Sequence, residues 1–148
     1  MSYLNIANLG EDFVAQWLES TGWMILQRQF SCRWGEIDII AEYTENIREP
    51  VLAFVEVKTR SFGSWDDGGR GAITLKKQAK IERTAGIFLA EYPEKSDYTC
   101  RFDVAIVSYE IAAKNNRQLS VTQEPIAVCL GEYKFQLQEY IPAAFEYL

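Results

Sequence analysis

The chain contains no histidine. That absence removes Ser-His-Asp and Cys-His nucleophile systems together with the commonest general base. Cysteine is scarce and odd in number: Cys32, Cys100 and Cys129 stand far apart, with no C-x-x-C pair. They read as reduced, buried apolar thiols of a cytoplasmic protein, and they give no ligand spacing for zinc. Long apolar runs are missing as well. None exceeds five residues, as from Val51 to Val55, so no segment is expected to cross a bilayer or bind one. The N-terminus shows no basic start followed by an apolar stretch, the mark of a secretory signal. Acid–base or metal chemistry must therefore rest on carboxylates, lysine, cysteine or tyrosine. Oxygen ligands of that kind favour hard ions such as Mg2+ or Mn2+.

What is present is the composition of a soluble globular domain: 148 residues, 48% hydrophobic and 24% charged. That length buries a real core without disulfides or metals. The formal net charge of −6 argues at first against a polyanionic partner. The distribution is uneven, however. From Glu56 to Arg83 seven basic residues face four acidic ones, a balance of +3, which leaves −9 for the rest of the chain. A local basic face can steer a polyanion, although a solvated helix face has the same composition.

Apolar residues at Leu4, Ala7, Val14, Trp17 and Leu18 predict a helix over Leu4 to Ser20, closed by Gly22. Trp23–Phe30, Gly35–Tyr43 and Val51–Lys58 read as three strands with short connections, an antiparallel meander. Residues 61–71 hold four glycines and read as a flexible loop. Thr74 is the expected N-cap of a helix reaching about Tyr92, with Ile81, Ala85, Phe88 and Leu89 as its apolar stripe. Cys100–Tyr109 reads as a strand, parallel to the preceding one because a helix intervenes. Leu119–Leu130 predicts one or two strands, and Glu132–Leu148 a terminal helix. The order α-β-β-β-α-β makes a single α/β domain over 1–148, with a core at about 5–108 and a tail of unknown role over 109–148.

Side chains alternate across a strand, so Glu56 and Lys58 should share a face of the third strand. By the same rule Glu36, Asp38 and Ile40 should share one on the second. A charge inside an apolar strand needs a partner or a metal. Two carboxylates on neighbouring strands near a lysine could hold a divalent ion and keep a water within reach of that lysine. The competing reading is a surface ion pair on an exposed strand face, and spacing alone does not separate the two. Asp103 reads as a structural partner of Arg101, Asp66 and Asp67 as solvated loop acids, and Trp34 and Trp65 as anchors rather than base platforms.

The segments GEIDIIA (Gly35–Ala41), FVEVKTR (Phe54–Arg60), TLKKQAKI (Thr74–Ile81) and RFDVAIV (Arg101–Val107), with an early Gly10–Glu11, resemble the YraN-like family in order and spacing. That bacterial family is assigned to the PD-(D/E)xK nuclease superfamily and is similar to archaeal Holliday-junction resolvases. The resemblance implies a restriction-endonuclease-like core, a mixed sheet flanked by helices with a C-terminal extension. Asp38 and Glu56 match the metal-binding acids, Lys58 the signature lysine and Glu11 the first-helix glutamate. Lys77 falls where the family has a basic residue on the helix after the third strand. The family has an Arg-Asn-like polar segment before GEID, whereas residues 29–34 here read QFSCRW, with Arg33 as the candidate stand-in. The expected function is a metal-dependent endonuclease acting on DNA, including branched DNA. In that reading Asp38, Glu56 and the Val57 carbonyl bind Mg2+ or Mn2+, Glu11 assists through water, and Lys58 orients the attacking water. Arg60, Arg70, Lys77 and Lys80 hold phosphates. The alternative is a catalytically silent binding or scaffold module, with the aromatic-rich tail serving a protein partner or a homodimer.

Overall fold

A computed structural model describes residues 3–45, 48–63, 73–111 and 127–145. Its elements are α1 (Tyr3–Ser20), β1 (Met24–Cys32), β2 (Gly35–Tyr43), β3 (Val51–Ser61), α2 (Leu75–Glu91), a short 3-10 turn (Pro93–Lys95), β4 (Thr99–Ile111), β5 (Ala127–Leu130) and β6 (Tyr133–Phe145). The strands form one mixed sheet in the order β1-β2-β3-β4-β6-β5. β1, β2 and β3 pair antiparallel, β3 and β4 parallel across α2, and β6 antiparallel to both β4 and β5. The expected meander and parallel crossover are both present.

The sheet is covered on both faces. On one, Phe13, Val14 and Leu18 of α1 pack on Ile39, Ala41, Ala53, Val55, Ala105 and Val107. On the other, Ile81, Ala85 and Phe88 of α2 pack on Ile40, Leu52, Phe54 and Phe102. This double burial is why β3 begins VLAFV and β4 contains FDVAIV: a strand with helices on both faces needs apolar side chains in both directions. Thr74 caps α2 as expected, its hydroxyl accepting from the Lys77 N–H at 3.1 Å.

Two departures from the sequence reading matter. The segment expected as a terminal helix is β6, reached through the two-residue turn Gly131-Glu132, where Gly131 supplies a φ of 62°. Aromatics at Phe135, Tyr140 and Phe145 suggested a helix, but Tyr133, Phe135 and Leu137 recur every second residue, the strand period. Phe135 and Leu137 are buried under α1.

The second departure is a break in β2. Its pairing with β3 runs from Tyr43↔Val51 to Ile39↔Val55 and stops, while its pairing with β1 continues to Cys32↔Gly35. The β1–β2 hairpin thus peels away from β3 at Asp38. Gln29, which sits opposite Asp38 between the pairs Arg28↔Ile39 and Phe30↔Ile37, has a φ of 52°. That left-handed conformation is rare for a residue with a Cβ and kinks the hairpin there. In consequence Ile37 and Ile40 both pack on the α2 side while Ile39 packs on the α1 side. Of the three residues expected on one face, Glu36 and Asp38 line one cleft, while Ile40 packs under α2, because strict alternation fails across the irregular point of the hairpin.

Gly10 sets the approach of α1 to β3. A Cβ there would overlap the Thr59 hydroxyl and come within 3.1 Å of both Thr59 Cβ and Cγ2, so neither branch can yield easily. Gly10→Ala gains about 1 kcal/mol of helix propensity, against an overpacking cost of about 1–3 kcal/mol. A net loss of stability is expected, read as a lower urea midpoint at unchanged slope. A midpoint at or above that of the wild type would contradict the close contact.

Candidate active site

Where β2 leaves β3, the Val57 N–H loses its strand partner. Asp38 supplies a replacement, its Oδ2 accepting from that N–H at 2.8 Å. The N–H and C=O of one strand residue point to the same side, so the Val57 carbonyl also faces the opening. Glu56 and Lys58 leave β3 on either side of Val57, and Lys77 reaches over from α2 to put its Nζ 3.2 Å from Glu56 Oε1. From the α1 side comes Glu11, almost fully buried, whose Oε1 is 3.3 Å from Arg28 Nη2. The same Arg28 nitrogen donates to Asp12 at 2.8 Å. The opening is a cleft of about 300 Å³ lined by Asn8, Glu11, Gln29, Glu36, Asp38, Glu56, Val57 and Lys58, among others.

The cleft holds more charge than burial favours. Burial pushes the Asp38 carboxyl up to about 8, and the neighbouring Glu56 charge pushes the same way against the Val57 N–H. Glu11 is raised by burial too, opposed by hydrogen bonding with Gln29 and by the Arg28 charge. Lys58 is lowered, first by burial and then by its hydrogen bond to Lys77 and that group's charge. For Lys77 burial acts against the charged form, but hydrogen bonds to Lys58 and Glu56 outweigh it and the pKa rises.

Among the described residues, no group of three or more Cys, Asp or Glu side chains gathers as a metal cage. The fork offers two carboxylates, Asp38 and Glu56, beside one backbone carbonyl. That suits Mg2+, which binds through one or two carboxylates and keeps several waters. The donor set is what fits a cation: two carboxylates beside one carbonyl in a half-buried cleft. Burial first and Glu56 second disfavour the Asp38 charge there, and a divalent ion would offset both.

The structure therefore brings together Glu11, Asp38, Glu56, Val57, Lys58 and Lys77. Lys77 was expected on phosphate, yet it pairs with Glu56, because the start of α2 overhangs the fork. Lys80 is exposed one turn further along α2, and Arg60 lies half-buried on β3 beyond Lys58. Arg70, with Trp65, Asp66 and Asp67, falls outside the described residues. Arg33, the candidate stand-in for the Arg-Asn segment, has its guanidinium over the Trp34 ring. Arg28, bonded to Glu11, and Gln29, in the cleft wall, are the β1 residues that reach the site, and sequence reasoning missed both. Their available signal was a polar pair on β1, opposite Asp38 and its neighbour Ile39. Asp103 is structural, as expected: 1% exposed, it accepts from Arg101 Nε at 3.1 Å, Tyr140 Oη at 2.5 Å and Ala143 N at 2.9 Å. The cysteines are free, but none is buried as expected: Cys32 and Cys100 are half-buried, and Cys129 is exposed on the short strand β5, whose outer edge pairs with no described strand.

Residues 10–107 match the model of the uncharacterised protein family UPF0102. The chain belongs to the UPF0102 family. The matched stretch holds every residue of the cleft except Ala7 and Asn8, and it excludes β5 and β6. A UPF0102 protein of Trichormus variabilis is 77% identical, covering 100% of this chain and 99% of its own length. Relatives in Nostoc (72% identical; 100% and 99%) and Synechocystis (40% identical; 95% and 97%) span the same extent. Among the described residues, no helix of this UPF0102 protein is long and apolar enough to cross a membrane.

An acid whose pKa is raised on folding stabilises the fold only in its protonated form. Stability should thus fall as pH climbs from the ordinary value, 3.8, to about 8, by at most about 1.4 kcal/mol per pH unit. Asp38→Asn keeps an acceptor for the Val57 N–H and removes the charge. In chelator it should melt near the wild type at pH 4 and clearly above it at pH 8. A variant melting below the wild type at pH 8 would show that Asp38 is not held against its charge.

Proposed function

We propose that this UPF0102 protein is a Mg2+- or Mn2+-dependent nuclease of the PD-(D/E)xK superfamily, with a restriction-endonuclease-like core, hydrolysing phosphodiester bonds of DNA. The resolvase-like resemblance points to branched DNA within that class. One observation carries the reading: Asp38, Glu56 and Lys58 converge at the split between β2 and β3, in a cleft that Glu11 closes from α1. A structural ion pair would need neither a split sheet nor a second buried acid.

Asp38, Glu56 and the Val57 carbonyl would hold the ion. When bound, it stabilises charge on the phosphoryl oxygens and lowers the pKa of the attacking water. Lys58, its ammonium weakened by burial and by Lys77, would orient that water and, as the neutral amine, take its proton to become an ammonium. Glu11, oriented by Arg28, faces the same cleft and can accept a hydrogen bond from a water held there. Lys77 competes with an ion for the Glu56 carboxylate, and a substrate phosphate offers the ammonium a replacement anion. Metal and DNA should therefore favour each other's binding.

The same ion pair is the one observation that favours the second reading, a silent DNA-binding module whose acids are neutralised by its own lysine. Single-turnover assays on linear, nicked and four-way DNA, with manganese or chelator, separate the two. Cleavage should require the ion. Lys58→Ala should slow it by about 10²- to 10⁴-fold, with metal and DNA binding largely retained, whereas Asp38→Asn should lose metal and rate together. Lys58→Ala cutting at the wild-type rate would remove the assigned role. Wild type that binds four-way DNA tightly without cutting it would favour the silent module.

A further inference from the structure

The tip of the β1–β2 hairpin carries a cluster that the cleft does not use. Arg33 and Trp34 form its two-residue turn, and Trp34 remains 37% exposed. Two guanidiniums lie over the indole: Arg33 Cζ at 4.8 Å and Arg83 Cζ, from α2, at 4.5 Å from the ring centroid. The tip is seated on α2. Cys32 Sγ lies 3.5 Å from Thr84 Oγ1, and Gly35 comes so close that an added Cβ would stand 3.6 Å from Lys80 Cβ. Along α2, Lys76, Lys80 and Arg83 follow the i, i+4, i+7 spacing of one helix face, and all three are exposed. Among the described residues, none of Arg33, Lys76, Lys80 and Arg83 forms an ion pair. Lys77 beside the stripe points into the cleft, and Glu36 beside the tip lines it. The cationic surface thus borders the carboxylate fork.

We propose that Arg33, Lys76, Lys80 and Arg83 grip the sugar-phosphate backbone of duplex DNA flanking the cleft, with Trp34 as the positioning residue that holds the two arginines. The inference rests on the proposed DNA partner and names the duplex arm as what this surface takes. A guanidinium stacked on an indole keeps its N–H donors in plane, free to fork onto a phosphate. Stacking also spends part of the side chain's freedom before the ligand arrives. Four cations gathered on one surface, with no acidic partner among the described residues, repel one another on a chain whose net charge is −6. A polyanion relieves that repulsion. The geometry favours duplex over single strand. An unpaired base would have to displace a guanidinium to stack on Trp34, whereas backbone phosphates need only the guanidinium edges. Lys76 to Arg83 rises roughly 10 Å along α2, about three base steps of one duplex strand.

The test is a salt titration of binding to a labelled blunt duplex, and to one of its strands, in chelator so that nothing is cut. Wild type, Arg33→Gln/Arg83→Gln, Trp34→Ala and Trp34→Phe are compared after circular dichroism shows each folded. The double arginine variant should flatten the duplex log–log salt slope by about two units, with duplex affinity at least tenfold lower. Trp34→Ala should weaken duplex binding several-fold and Trp34→Phe should restore most of it, which a purely structural role for the ring's size would not separate from charge. An unchanged duplex slope in the double variant overturns the proposal. So does a loss confined to the single strand. If the wild type binds neither duplex nor four-way DNA, the DNA reading itself fails along with this surface.

Discussion

The hydrogen bond from the Val57 N–H to Asp38 holds the site together. A β-ladder that ends within the sheet leaves buried backbone donors, each costing a kcal/mol or more if unsatisfied. Here the side chain of the departing strand satisfies the donor that its backbone abandoned. The sheet can therefore open at Asp38 without leaving the N–H orphaned, and the opening is what gives a carboxylate, a backbone carbonyl and Glu56 access to one volume. A fully paired β2–β3 ladder would bury the same residues uselessly between strands. The left-handed Gln29 opposite Asp38 is the conformational cost of that split, and Gln29 recovers part of it through its bond to Asn8 at 3.2 Å.

Charge balance follows from the same opening. Asp38 and Glu56 repel each other, and the protein answers with two lysines from different elements, Lys58 on β3 and Lys77 on α2. Burial and the neighbouring Lys77 together weaken the Lys58 ammonium, while Lys77 keeps its charge through its bonds to Lys58 and Glu56. Asp38 and Glu11 are raised and Lys58 is lowered, all first by burial, and such perturbed groups cluster in catalytic sites more often than in structural ion pairs. Asp103 makes the contrast plain. It is buried more deeply than Asp38 or Glu56, yet it is satisfied by Arg101, Tyr140 and a backbone N–H.

Much of this was readable in the chain. Apolar runs bounded by turn residues gave β2 and β3 their limits, and Thr74 with its apolar stripe gave α2. Charges interrupting those strands singled out Asp38, Glu56 and Lys58, but spacing alone did not separate a site from a surface ion pair, and the family resemblance supplied their expected roles. What escaped depends on tertiary structure. Nothing local announces that Gln29, a residue with a Cβ, adopts a positive φ, so the kink and the resulting shift of phase in β2 could not be read from periodicity. β6 was mistaken for a helix because aromatic spacing was weighed above the two-residue alternation of Tyr133, Phe135 and Leu137. The partner of Arg33 was hidden because Arg83, fifty residues away, meets Trp34 only when the hairpin tip docks on α2.

The central claim is that the fork binds one divalent ion through Asp38 and Glu56. Calorimetric titration of manganese into the wild type and into Asp38→Asn/Glu56→Gln, each alone and with a non-cleavable four-way DNA, tests it most directly. The account predicts a single site in the wild type, tightened by DNA, together with a rise in Tm that grows with ion concentration. The double variant should show neither heat nor shift. No binding to the wild type even with DNA present, or equal binding to both proteins, would contradict the assignment of these residues.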